Sequence, residues 1–265
     1  MIASSEWRRY SVRYDRPRIM GILNVTPDSF SDTVRYSGKD AVKRIFEMED
    51  EGADIIDVGG ESTRPGSVRV SHKIEAARIL DVIREAAPSL RIPISVDTMN
   101  PETAEEALFD GAGMINDVTG LNDPRMAELV SAAGVPIVIM HMHGTPQTMQ
   151  KYPMEGNVIV QISKFFDEVC AKAADAGIRK EMMIVDPGIG FGKTYEQNID
   201  IINNLKKMKK DRPLLIGTSM KSFLGSAYPA IPRSEASILS AIECIRNGAD
   251  IVRVHDVSGT VSALK

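Results

Sequence analysis

At 265 residues, 43% apolar and 26% charged, the chain has the composition of a globular protein with a large buried core, which excludes a disordered polypeptide. Its net charge of −4, from 32 basic and 36 acidic residues, gives no field for attracting nucleic acid or an anionic membrane, so an anionic ligand must be held locally. Two cysteines without metal-ligand spacing, Cys170 and Cys244, argue against a disulfide framework or zinc site, and no apolar run reaches signal-peptide or membrane-spanning length; the expectation is a cytoplasmic protein.

In chain order, "WRRYSVRY" within residues 1–17 alternates and predicts a short strand or hairpin extension. Eight apolar, β-branched runs follow: "IMGILNV" (19–25), "ADIIDVGG" (53–60), "PISVDT" (93–98), "GMINDV" (113–118), "PIVIMHM" (136–142), "MMIVDPG" (182–188), "PLLIGTS" (213–219) and "ADIVRVHD" (249–256). Between them, helical spacing covers 39–51, 72–87, 101–110, 124–133, 157–177, 196–210 and 233–247, and "VSGTVSALK" leaves room only for a short eighth helix. Several helical segments end in Gly, as in "EGADI" and "AAGVP", where a left-handed cap suits that residue. The basic run Lys206-Lys207-Met208-Lys209-Lys210 reads as a solvated helix end. Strand alternating with helix eight times is the pattern of parallel βαβ units, and eight units in this length predict one α/β domain over 1–265, a (β/α)8 TIM barrel; a doubly wound open sheet is the alternative.

A parallel barrel gathers the C-terminal ends of its strands on one face, the usual place for an active site. Here every strand end is polar: Asn24; Asp57, Glu61, Ser62, Thr63 and Arg64; Asp97; Asn116 and Asp117; His141 and His143; Asp186; Lys221 and Ser222; Arg253, His255 and Asp256. Any one of these reads equally well as a cap or turn residue. Together they divide into a carboxylate and carboxamide side (Asp97, Asn116, Asp186), suited to a flat heterocycle with several N–H groups, and a cationic side (Arg64, Lys221, Arg253, His255), suited to phosphate or pyrophosphate. The loops "NVTPDSFSDTVRYSG" and "GGESTRPGS" are composed as if to move or to wrap a ligand. "DPGIGFGK" fits neither nucleotide fingerprint, so its glycines are expected to let backbone approach a ligand closely.

The series "GILNVTPDSFSD", "GADIIDVGGESTRPGS", "SVDT", "INDVTG", "MHMHGTPQTMQ", "DPGIGFGK", "IGTSMKSFLG" and "VRVHDV" resembles the dihydropteroate synthases, a pterin-binding TIM-barrel family, from about residue 18 to the C-terminus. The resemblance implies condensation of a dihydropterin pyrophosphate with 4-aminobenzoate on the route to folate. It further implies that Asp97, Asn116, Asp186 and Lys221 hold the pterin, that Thr63, Arg64, Arg253 and His255 hold pyrophosphate, and that Asn24 ligates Mg²⁺. Phe30, Pro65, Lys221 and Ser222 are implied around the aminobenzoate. Asp32, Arg64, Asp97, Asp186 and Lys221 are implied in catalysis, and a homodimer is expected. Met220 stands where the family commonly has Arg, and "SDTVRYSG" departs from its usual glycine pair. Two alternatives share the pterin pocket: a methyltransferase barrel working with a corrinoid protein, which has no use for "ESTRPGS" with "RVHD", and a non-catalytic pterin-binding barrel.

Overall fold

The computed structural model of the chain describes residues 14–26, 38–64, 66–149 and 151–265. Its strands are β1 (Arg18–Asn24), β2 (Ile55–Gly59), β3 (Ile94–Asp97), β4 (Met114–Asp117), β5 (Ile137–Met140), β6 (Met183–Asp186), β7 (Leu215–Ile216) and β8 (Ile251–Val254). Its helices are α1 (Gly38–Glu51), α2 (His72–Ala86), α3 (Pro101–Phe109), α4 (Pro124–Ala133), α5 (Val158–Asp175), α6 (Tyr195–Asn203), α7 (Leu205–Lys209), α8 (Leu224–Ala227), α9 (Arg233–Arg246) and α10 (Val257–Ala263). The strands are parallel in the order β6-β5-β4-β3-β2-β1-β8-β7. A parallel bridge between Val185 and Leu214 brings the two ends of that order together, so the sheet curls into the expected barrel and the open-sheet alternative falls.

Side chains alternate across each strand, which divides the apolar residues in two. Ile56, Val58, Val96, Ile115, Ile139, Val185, Ile216 and Val252 belong to the main core, in which the helices bury Ile45, Ile79, Ile83, Phe166 and Met208. Met20, Ile55, Met114, Val138, Ile184, Leu215 and Ile251 form a separate cluster inside the barrel, near the strand starts, with Tyr14 packed against it. Residues 1–13 of the expected extension lie outside the described residues. One strand face thus feeds the helix layer and the other fills the lumen, which is why these strands read as nearly unbroken apolar runs.

Helix boundaries follow local chemistry. Asp123 and Asn157 accept backbone N–H groups at the starts of α4 and α5, and Thr194 with Gln197 forms a capping box on α6. At the end of α4, Gly134 takes the left-handed conformation expected of it (φ 66°). The single helix predicted over 196–210 is instead two. Asn204 turns its Nδ2 onto the Asp200 carbonyl at 2.8 Å, and its backbone leaves the helical region (φ −122°, ψ 21°). In the basic run after the break Lys206, Lys207 and Lys210 are exposed as expected, whereas Met208 is buried and Lys209 is half-buried against Asp250. Among the described residues no helix is long and apolar enough to cross a membrane.

Candidate functional site

Two residues beyond the apolar floor of the lumen the same strand face turns polar: Asp57 follows Ile55, Asn116 follows Met114, Asp186 follows Ile184 and Arg253 follows Ile251. Nearer the mouth, register aligns Asn24, Gly59, Asp97 and Asn116 in one row across β1 to β4. Gly59 leaves a gap in that row. A Cβ built there would lie 3.4 Å from the Asp97 Cβ and 3.7 Å from the Asn24 Oδ1. The side-chain oxygens of Asn24 and Asp97 therefore border one small open space.

Arg253 ties the floor together. Its Nε donates to Asp57 Oδ2 at 2.6 Å and its Nη2 to Asp97 Oδ2 at 2.7 Å. Asn116 Nδ2 donates to the same Asp57 oxygen at 3.0 Å. With its Nδ2 committed to Asp57, the Asn116 amide turns its carbonyl oxygen toward other donors. Burial pushes the Asp97 carboxyl up to about 7 against the pull of Arg253, and the Asp186 carboxyl up to about 6 against the Gly188 N–H that it accepts at 2.7 Å. Lys221 is pushed down to about 8, first by burial and then by the Arg253 charge, and its Nζ lies 4.2 Å from the centroid of the Phe191 ring. Asp97, Asp186 and Lys221 thus lie within electrostatic reach of one another and of Arg253 with their ionisation opposed by burial, the arrangement expected where a polar ligand completes the pairing.

The remaining candidates spread around the rim. Thr63 and Arg64 are half-buried on the loop after β2, and His255 is half-buried beyond β8 with its Nδ1 2.9 Å from Ser219 Oγ. Ser222 is exposed just before α8. Phe30, Asp32 and Pro65 lie outside the described residues. Among the described residues no group of three or more His, Cys, Asp or Glu could hold a metal.

Several expectations need correction. Arg253, expected only on the cationic side, reaches across the barrel to Asp57 and Asp97, so the two chemistries meet rather than separate. Two glycines of "DPGIGFGK" serve the chain itself: a Cβ on Gly188 would lie 2.0 Å from the His141 carbonyl oxygen, and one on Gly192 2.4 Å from that of His143, whereas Gly190 borders the Lys221 side chain. Asp117 and Asp256 are the bland caps they could have been, accepting N–H groups of Thr119 and Leu121 and of Gly259. The described part of the loop after β2 is tethered: Arg69 pairs with Glu61 at 3.1 Å and donates to Asn100 at 2.7 Å, and Gly66 N–H donates to the Pro146 carbonyl at 2.9 Å. Met220 adopts a left-handed backbone (φ 59°) and lines a cavity of about 290 Å³ with Arg44, Glu51, Ser237 and His255, toward α1 and α9. Asp57 received no role from the sequence, although its parity with Ile55 places it in the lumen; Phe191 and Ser219 gave no such signal.

Residues 20–255 match the family described as pterin binding enzyme. The dihydropteroate synthase of Escherichia coli (strain K12) is 42% identical over 259 residues, covering 96% of this chain and 92% of its own. Among solved structures, Xanthomonas albilineans dihydropteroate synthase with 4-aminobenzoic acid superposes with a TM-score of 0.87 at 39% identity, covering 95% of this chain and 92% of that one. Burkholderia cenocepacia dihydropteroate synthase complexed with 7,8-dihydropteroate gives 0.85 at 39% identity, covering 94% and 90%. With its barrel, its lumenal carboxylates and near full-length identity of this order, the chain belongs to the dihydropteroate synthase family of pterin binding enzymes.

Proposed function

We propose that the chain condenses 6-hydroxymethyl-7,8-dihydropterin pyrophosphate with 4-aminobenzoate, giving 7,8-dihydropteroate and pyrophosphate for folate biosynthesis. The observation that carries this reading is Arg253, bonded to both Asp57 and Asp97 where the carboxylate floor meets the rim bearing His255. A ligand with a donor-rich heterocycle at one end and an anion at the other suits that junction.

In this reading the Asp97 and Asp186 carboxylates and the oriented Asn116 carbonyl accept the pterin N–H groups, and Lys221 donates from its seat on Phe191. Thr63, Arg64, Arg253 and His255 hold the pyrophosphate and neutralise the charge that grows as the methylene C–O bond breaks. The two carboxylates also favour the positive charge left on the pterin methylene. The arylamine nitrogen then bonds to that carbon and loses a proton, so no strong dedicated base is needed. Mg²⁺ supplies further positive charge at the phosphate oxygens when bound. Asn24 would hold it beside the space that Gly59 leaves open, since a Mg²⁺ ligated by phosphate and water needs few protein oxygens. Asp32, Phe30, Pro65 and Ser222 complete the aminobenzoate side on the strength of the family resemblance. The buried free thiols of Cys170 and Cys244 support work in a reducing cytoplasm, and exposed Leu239 and Leu264 on and beside the last helices support a homodimer.

The test is to supply the protein with the dihydropterin pyrophosphate, 4-aminobenzoate and Mg²⁺ and to quantify both products. Equal amounts of dihydropteroate and pyrophosphate are expected. Pterin binding without either product would sink the proposal in favour of a non-catalytic barrel, and methyl transfer to a corrinoid protein would favour the methyltransferase.

A further inference from the structure

The turn from Asp186 to Lys193 contains one buried amine that the proposed chemistry leaves unused, which burial pushes down to about 7 against the pull of the Asp186 charge. Lys193 is 5% exposed. Its Nζ donates to the carbonyl oxygens of Gly188 at 2.9 Å, Phe191 at 2.9 Å and His141 at 3.3 Å. An ammonium has three N–H donors and no acceptor, so three converging carbonyls satisfy it completely. Two of these carbonyls belong to the turn and the third to the residue just beyond β5. The same two segments are stitched by backbone bonds, from His141 N–H to the Asp186 carbonyl at 2.9 Å and from His143 N–H to the Phe191 carbonyl at 3.4 Å. Three glycines at positive φ, Gly188, Gly190 and Gly192, let the turn lie this close.

What the turn delivers is the pterin end of the site. Asp186 stands at its start, its Oδ1 held by Gly188 N–H. The Phe191 ring, whose backbone carbonyl Lys193 grips, carries the Lys221 ammonium. Lys193 itself is enclosed by the carbonyls of its own turn and donates to no pterin-facing group.

We infer that Lys193 is a positioning residue for the pterin pocket, its ammonium clamping the 188–191 turn against the end of β5 so that Asp186 and the Phe191-seated Lys221 face the heterocycle together. The inference rests on the proposed function for what the pocket holds, but not for the clamp itself. Without the ammonium, the carbonyls of Gly188, Phe191 and His141 each lose a donor, and the turn is left with only its backbone bonds to the end of β5. Asp186 and Lys221 would then drift while Arg253, on β8, and His255, just beyond it, keep their partners Asp57, Asp97 and Ser219.

Lys193→Met keeps the stem and removes the ammonium. Calorimetry should find a pterin analogue bound at least about tenfold more weakly and pyrophosphate bound within about twofold of the original, the scale set by lost charge-assisted bonds. Folded Lys193→Met with unchanged pterin affinity, or with both ligands weakened alike, would overturn the inference. Hydrogen exchange in the free protein reads the clamp directly: the Gly188 amide should exchange at least about tenfold faster in the variant while the Thr98 amide, on the far side of the floor, does not. Unchanged exchange at Gly188 would refute the clamp even if the original protein bound no pterin, an outcome that by itself would defeat only the proposed function. Should Lys193→Met fail to fold, Phe191→Leu decides: it leaves the carbonyl grip intact and removes the seat of Lys221. Several-fold weaker pterin binding supports the inference, and unchanged binding contradicts it.

Discussion

Asp186 holds a negative charge where burial opposes it, and that opposition can be read as stability. Its carboxyl ionises near 6 in the folded chain and at the usual 3.8 in the unfolded one. Between those values the folded state binds more protons, so stability falls as pH rises toward about 6 and stays lowered above it. Asp186→Asn removes the ionisation but keeps an oxygen for Gly188 N–H. The variant should be more stable than the original by on the order of 1–3 kcal/mol at about pH 8, with the gain fading toward about pH 4; urea unfolding at both pH values checks this. The same substitution should weaken a pterin analogue by roughly 1.5–3 kcal/mol and leave pyrophosphate nearly unaffected, because a charged acceptor is lost. A variant that lost stability and kept its pterin would mark Asp186 as a structural cap. Asp186 and Asp97 were legible as candidates from their strand-end positions. Of the partners that set their charge, the Gly188 amide is local to Asp186, whereas Arg253 reaches Asp97 only because the barrel brings β8 near β3.

The loop after β2 illustrates what composition misjudges. Its Gly, Pro and Ser content suggests mobility, yet Arg69 connects Glu61 to Asn100, and Asn100 in turn donates to buried Glu75 at 2.7 Å, anchoring the loop to α2 and to the turn after β3. Thr63 and Arg64 lie inside that anchored stretch. Arg69→Ala should therefore reduce pyrophosphate affinity several-fold with little change in pterin affinity, at some cost in stability because the Glu61 side chain is only 4% exposed and loses its cation. Titration calorimetry with each ligand separates these outcomes; unchanged pyrophosphate binding would make the anchor irrelevant to the site. All eight strands were legible from apolar runs bounded by turns, as were the long helices from their period. The break at Asn204 was not, because it depends on one side chain competing for a backbone carbonyl, and β7 is only two residues long, shorter than its apolar run.

In the molecule as a whole, two of the four residues proposed to hold the pterin stand at a thin seam of the barrel. Across the described residues β6 and β7 meet through the single Val185–Leu214 bridge, and the candidate groups Asp186 and Lys221 follow those two strands. The eighth unit ends in α10, only 7 residues long, and Leu239 and Leu264 remain 42% and 39% exposed on and beside the last two helices. Light scattering at micromolar concentration should return twice the chain mass of 29.0 kDa, and the mass of one chain would refute the dimer. The central claim is that one mouth holds a heterocycle on its carboxylate floor and an anion at its cationic rim simultaneously. The most direct test is calorimetric titration of a pterin analogue into protein saturated with pyrophosphate and Mg²⁺. The account predicts that the analogue binds at least as tightly as to the free protein, one per chain, whereas loss of its binding under saturating pyrophosphate would show that the two ligands compete for one place and would contradict the division of the site.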